Sequence, residues 1–238
     1  MTAASHPLWG IFEALSRVPR ADGRAKIIAL VSPFTKSGTS HVARDLSLLA
    51  AQHFVQMGGR VALMDFDVNQ QTQCDGFDTP ESIAAHGAIQ GPFDATFGQS
   101  PYWQVSPDMV SGDGQRAQMS LHCGLFFVGE TGLAVSSFDW KTIKAGQTVH
   151  VRRAPEYWQA ARSQFSFIFV DCPSTDRSGM AMEMIPDADM AVIISPEYRA
   201  SDPAHDALAQ KITQAGGTCA GKILNAGPVV QPYVGAIG

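Results

Sequence analysis

A chain of 238 residues with 45% apolar and 16% charged residues can bury a sizeable core, which excludes a disordered or low-complexity protein. A net charge of −5 is a poor background for binding a polyanion over a broad surface, so no nucleic-acid partner is expected. The four cysteines, Cys74, Cys123, Cys172 and Cys219, lack CxxC spacing and read as free thiols, not as a zinc site.

The chain opens with PLWGIFEALSRVPR (7–20), an amphipathic helix with Leu8, Ile11, Phe12, Leu15 and Val18 near one face. Two uses are open to it, packing on the domain or contact with another subunit through Glu13, Arg17 and Arg20. ADGRAK then reads as a linker. No basic region with an apolar core precedes it, and no apolar run reaches about 18 residues, so the reading is a cytoplasmic chain that meets a membrane only through a partner.

Ile27–Val31 is a continuous apolar run, as a strand covered on both faces must be. The turn SPFTKSGTS follows, then a helix over about 40–57 with Val42, Leu46, Leu49, His53, Phe54 and Met57 at helical spacing, stopped by Gly58-Gly59. A turn between a strand and a helix N-terminus is where backbone N–H groups and the helix dipole hold phosphate. A second buried strand, Arg60–Met64, places Asp65 and Asp67 just past its end. In a parallel sheet that end faces ligands, and the pair can position a water or a metal-bound water. A carboxylate there can equally cap a turn.

Residues 70–120 are rich in Gly, Pro, Gln, Ser and Asp; they read as surface loops with one short helix at about 80–88, or as a partner-binding insertion. Gly112–Gly114 forms a Gly-x-Gly that follows no strand and carries little weight. Further strands are expected at Leu121–Val128, 165–175 with Asp171 near its end, 187–195 and 219–227, and helices at about 152–163, opening on a solvated Arg152-Arg153, and 203–215. The β-α-β alternation predicts an α/β fold, one doubly wound and mostly parallel sheet with helices on both faces, in a single domain spanning 1–238. Gly38, Ser40, Asp65, Asp67 and Asp171 then share one sheet edge. The dispersed histidines suggest no nucleophilic triad; His53 reads as a partly buried helix residue.

This order of signals resembles the deviant phosphate-loop (P-loop) ATPases of the MinD/ParA group, and within it the ATPase domain of bacterial tyrosine kinases of capsule and exopolysaccharide synthesis. The family loop reads S-P-x-x-G-x-G-K-[ST], and Ser32 to Ser40 stand in its place. The family pattern L-[ILM]-D-x-D is matched by Leu63-Met64-Asp65-Phe66-Asp67, and [IV]-[IV]-D-x-P is similar to Phe169-Val170-Asp171-Cys172-Pro173. Ile223-Leu224-Asn225 stands where the family has an Asn that meets adenine. The resemblance implies a site for ATP or ADP with Mg²⁺, lined by Lys36, Ser37, Gly38, Thr39, Ser40 and Asn225. It gives Asp65, Asp67 and Asp171 catalytic roles and Ser40, Asp65 and Asp171 the metal.

The loop departs from the family at its charged and glycine positions. Thr39 replaces the lysine that reaches the β- and γ-phosphates, Lys36 replaces a glycine, and Phe34 stands where the group often carries a second, cross-subunit lysine. The family's tyrosine-rich tail is reduced to Tyr233, with Tyr102, Tyr157 and Tyr198 elsewhere, and Glu13, Arg17 and Arg20 miss its E-x-x-R-x-x-R ring contact by one position. Beside the bland reading of a pure scaffold with an empty site, two readings follow. One is a degenerate, pseudokinase-type regulator of exopolysaccharide synthesis or export, acting through a membrane chain-length or export partner, with self-association open. The other is an active MinD/ParA-type switch for positioning or assembly, with Lys36 replacing the missing cation.

Overall fold

The structure is a computed structural model that describes residues 6–17, 24–107 and 122–227. Of the features read from sequence, Val18, Arg20, Gly112–Gly114, Leu121 and Tyr233 lie outside the described residues.

Eight strands form one sheet: β1 (Lys26–Val31), β2 (Val61–Asp65), β3 (Ile89–Asp94), β5 (Cys123–Val128), β6 (Leu133–Phe138), β8 (Phe167–Asp171), β9 (Met190–Pro196) and β10 (Cys219–Asn225). Their order is β10-β9-β1-β8-β2-β6-β5-β3, and a separate ribbon pairs β4 (Trp103–Ser106) with β7 (Thr148–Val151). From β10 to β6 every pairing is parallel; β5 and β3 add an antiparallel edge.

The central strands are buried along their length, and the two-residue period of a strand splits their side chains between two cores. Ile28, Leu30, Val61, Leu63, Phe167 and Phe169 pack on one face against Phe12 and Leu15 of α1 (Trp9–Arg17) and Val42, Leu46 and Leu49 of α2 (Thr39–Val55). Ile27, Ala29, Met64, Ile168 and Val170 face the other way. There they meet Tyr157 and Trp158 of α5 (Pro155–Gln164), Met184 of α6 (Ala181–Met184) and Leu208 and Ile212 of α7 (Ala204–Gln214). The expected helix-covered parallel sheet is therefore present.

α5 is fixed to the sheet by Arg162. Its Nη1 donates to Ala25 O at 2.6 Å and to Asp189 Oδ2 at 2.5 Å, and its Nη2 donates to Asp187 O at 2.9 Å. Asp189 Oδ2 also accepts from Ile27 N at 2.7 Å, so one carboxylate joins helix and β1.

Several expectations are corrected. The short helix expected at about 80–88 is present as α4 (Pro80–His86), but residues 70–107 are not mainly surface loop, since they also hold α3 (Gln73–Phe77), β3 and β4. β3 escaped because IQGPFD carries Gly and Pro; it is an edge strand whose register shifts between Gln90 and Phe93, and edges and bulges tolerate both residues. β6 escaped because Gly129 to Gly132 reads as the end of a strand region, whereas it turns β5 back into an antiparallel neighbour. Lys26 belongs to β1, not to a linker, and its Nζ donates to Leu15 O at 3.0 Å, meeting the negative end of α1. Glu13 and Arg17 pair with each other at 2.6 Å along the exposed side of α1. Met57 lies beyond the end of α2 and is exposed. His53 is exposed rather than partly buried, with its ring edge-on to Phe12 and Phe54. Arg152 and Arg153 do not open a helix. Arg152 Nε donates to Pro101 O at 3.2 Å, and Arg153 reaches Asp187 at 3.8 Å.

Among the described residues no helix is long and apolar enough to cross a membrane.

Candidate phosphate site at the sheet edge

The C-terminal ends of β1, β2 and β8 deliver the candidate residues to one place. β2 and β8 run in register with Asp65 opposite Asp171, and Leu30 of β1 lies opposite Asp171 on the other side. Alternation then places both carboxylates on the face that α2 covers. Asp65 is the last residue of β2, not a residue beyond it.

The loop from Ser32 to Gly38 is cross-braced from within. Ser32 Oγ lies 2.6 Å from Ser37 Oγ, Ser37 Oγ donates to Phe34 O at 2.7 Å, and Phe34 N donates to Ser32 Oγ at 3.1 Å. Ser37 is buried, so its hydroxyl serves the loop and only its N–H is left for a ligand. Outside the loop, Asp176 accepts from Thr35 N at 2.8 Å and from Thr35 Oγ1 at 2.9 Å. The Phe34 ring is held by the Arg199 guanidinium 4.1 Å above it and by an edge contact with His205.

Two residues of the loop take left-handed backbone. Gly38, the residue before α2, has φ +80°, and Lys36 has φ +61°. Lys36 thus holds a left-handed conformation at a cost of roughly 1–2 kcal/mol for a residue with a Cβ. Lys36→Gly relieves this strain, while a freer unfolded chain offsets part of the gain. The expected net stabilisation is about 0.5–1 kcal/mol by chemical denaturation.

Among the described residues, nothing accepts from the backbone N–H of Lys36, Ser37, Gly38, Thr39, Ser40 or His41. They line a cleft of about 510 Å³ together with Arg44, Asp67, Gln70, Thr72, Asp171, Cys172, Ser174 and Arg177. Consecutive free N–H groups at a helix N-terminus are the backbone half of a phosphate site. Lys36, Arg44 and Arg177 add positive charge to the same walls, so the donor set fits a polyphosphate.

The carboxylates divide their labour. Asp171, buried, accepts from Gln73 Nε2 at 2.7 Å, and Gln73 Nε2 also reaches Ser40 O at 3.0 Å. Burial pushes the Asp171 carboxyl up to about 6, against the pull of hydrogen bonds from Ser40 and Gln73. Asp65 is also buried, and its carboxyl lies well above the usual range through burial and the neighbouring Asp171. Its oxygens accept from Thr72 N at 3.0 Å, Gln73 N at 3.2 Å and Asp67 N at 3.3 Å, so it holds the turn leading into α3 and does not line the cleft. Of the implied metal set, Ser40 and Asp171 line the cleft and Asp65 lies behind it. No group of three His, Cys, Asp or Glu side chains converges in metal-binding geometry among the described residues. Cys172 offers no ready thiolate, because burial raises it well above the ordinary thiol range.

Asn225, at the end of β10, lies against the loop itself: its Nδ2 donates to Ser37 O at 3.0 Å, and a Cβ on Gly38 would fall 2.0 Å from that nitrogen. Gln73, Asp176 and Arg177 were missed from sequence. Gln73 lay inside a stretch read as loop, and its buried amide gives no sequence pattern. The Asp176-Arg177 pair, a few residues past Asp171-Cys172-Pro173, was the available signal.

No family model matches the chain, and no curated protein matches it by sequence. Solved structures do match its fold. The kinase domain of VpsO aligns over 92% of this chain and 91% of that one, with TM-score 0.59 and 15% identity. The kinase domain of Escherichia coli tyrosine kinase ETK aligns over 94% and 75%, with TM-score 0.52 and 14% identity. The cell division ATPase MinD of Pyrococcus furiosus aligns over 84% and 72%, with TM-score 0.53 and 19% identity. The chain therefore has the α/β P-loop NTPase fold shared by bacterial tyrosine-kinase domains and MinD.

Proposed function

We propose that this protein is a nucleotide-binding regulator on the kinase/MinD fold, holding ATP or ADP in the cleft above α2 and turning it over slowly. One observation carries the reading: the run of unpaired N–H groups from Lys36 to His41, beside a threonine where the family has its lysine. The backbone that grips phosphate is intact. The charge that offsets the breaking bond is missing from its usual place, and such clamps are worth about 10³–10⁵ in rate at comparable sites. The motif resemblance, not the geometry, supports the setting: exopolysaccharide synthesis or export, at the inner membrane through a chain-length or export partner.

Calorimetry of the full chain with ATP and Mg²⁺, paired with a phosphate-release assay, tests the reading. Saturable binding is expected, with turnover at least about a thousandfold below the 1–100 s⁻¹ of working kinases. No binding overturns the nucleotide reading. Turnover in the kinase range overturns the regulator reading. If Lys36→Ala then abolished that turnover, the active switch would be the better account, since Lys36 is exposed on the cleft wall and makes no ion pair among the described residues.

A further inference from the structure

The cleft holds a cation that no motif announces. Arg177 lies on the turn after β8 and grips both carboxylate oxygens of Asp67: Nη1 donates to Oδ1 at 3.1 Å, and Nη2 donates to Oδ2. The turn is tied down on both sides of the cleft, because the adjacent Asp176 holds Thr35 at the loop while Arg177 holds Asp67 beyond β2. Arg177 and the unpaired N–H groups are walls of one cleft.

We propose that Arg177 replaces the missing loop lysine as the phosphate-gripping cation, and that Asp67 holds it in reserve until a nucleoside polyphosphate takes it. The proposal rests on the nucleotide-binding reading above and names the residue that supplies its charge.

The other cations of the cleft are less suited. Arg44 is wedged in place: its guanidinium sits 5.6 Å over the Phe77 ring, its Nη2 donates to Thr72 O at 3.3 Å, and a Cβ on Gly76 would fall 2.2 Å from it. Lys36 is a single point charge on a flexible stem, with no ion-pair partner among the described residues to pre-position it. Arg177 is already held in a fork geometry, and the same fork fits two phosphate oxygens. Its side chain is 28% exposed against 9% for Asp67, so it is the member of the pair that a ligand can reach. Exchanging a carboxylate for a phosphate leaves the guanidinium paired throughout, which avoids exposing a bare charge in a half-buried wall. Asp67 is not orphaned by the exchange, since its Oδ1 also accepts from Gln70 N at 3.2 Å. Asp67 thereby acts as a competitor of the ligand for Arg177, a role different from the catalytic one implied by the motif.

The test is calorimetric titration of the full chain with ATP and, separately, with inorganic tripolyphosphate, using Arg177→Gln, Arg177→Lys, Asp67→Asn and the Asp67→Asn/Arg177→Gln double variant. Thermal melts confirm that each variant is folded. Arg177→Gln is expected to weaken both ligands by about ten- to a hundredfold, the range of charge-assisted hydrogen bonds, with Arg177→Lys in between. Asp67→Asn is expected to tighten binding by about fivefold, and the double variant to lose that gain. If the wild type binds and Arg177→Gln binds equally well, the Arg177 assignment fails while the nucleotide reading stands. Weaker binding by Asp67→Asn rejects the reserve role, because Asp67 then serves the ligand directly. If neither the folded wild type nor folded Asp67→Asn binds ATP, both the nucleotide reading and this proposal fall. Should Arg177→Gln not fold, Arg177→Lys and Asp67→Asn still decide the question.

Discussion

Asp171→Asn should make the folded chain more stable above neutral pH. The carboxyl of Asp171 is pushed from 3.8 to about 6 in the fold, chiefly by burial. A raised acid of this kind favours the folded state only while it is protonated. Below the unfolded value the group costs nothing; as pH climbs through the folded value the buried side chain must ionise, and stability falls. A shift of that size corresponds to at most about 3 kcal/mol lost between pH 4 and pH 7, at 1.36 kcal/mol per unit. An asparagine keeps an oxygen for Gln73 Nε2 and removes the charge. Denaturant melts of the two proteins across pH 4–8 should therefore diverge with rising pH, the variant gaining. A parallel pair of curves would show that Asp171 does not titrate in this window.

Gly38→Ala should be among the most damaging single-atom additions to the loop. The new methyl group meets Asn225 Nδ2 at 2.0 Å, and the backbone at φ +80° disfavours any side chain. The left-handed conformation alone costs about 1–2 kcal/mol, and displacing the Asn225 amide also breaks its hydrogen bond to Ser37 O, worth about 1 kcal/mol. A loss of about 2–3 kcal/mol is expected in denaturant melts, accompanied by weaker binding of ATP because the N–H groups on either side are re-aimed. Asn225→Ala in the Gly38→Ala background removes the clash and should recover part of the stability, separating the steric effect from the backbone strain. A fully neutral Gly38→Ala would mean that the loop relaxes freely, and the cross-bracing by Ser32 and Ser37 would then have no role in setting its shape.

The regular centre of the fold was readable because its chemistry is local. Ile27–Val31, Ala62–Met64 and Phe167–Val170 are apolar at successive positions, and only a strand covered on both faces sustains that pattern. The motifs placed Gly38, Ser40, Asp65, Asp67 and Asp171 at one sheet edge; Gly38, Ser40, Asp67 and Asp171 line the cleft, and Asp65 does not. β3 and β6 were not readable. Their identity depends on pairing with β5, a partner distant for β3 and disguised by the turn at Gly129–Gly132 for β6.

The sequence by itself determined the parallel core and the strand–loop–helix from Lys26 to Val55 that frames the cleft. Each follows from residue type at fixed spacing. Only the tertiary structure decided what the polar side chains do. Asp65 turned out to hold the entry to α3, Ser37 to brace its own loop, Asn225 to lie on Gly38, and Arg177 to pair with Asp67. Those roles depend on which hydrogen-bond partner comes within about 3 Å once the strands are in register, and chain spacing alone does not encode that distance.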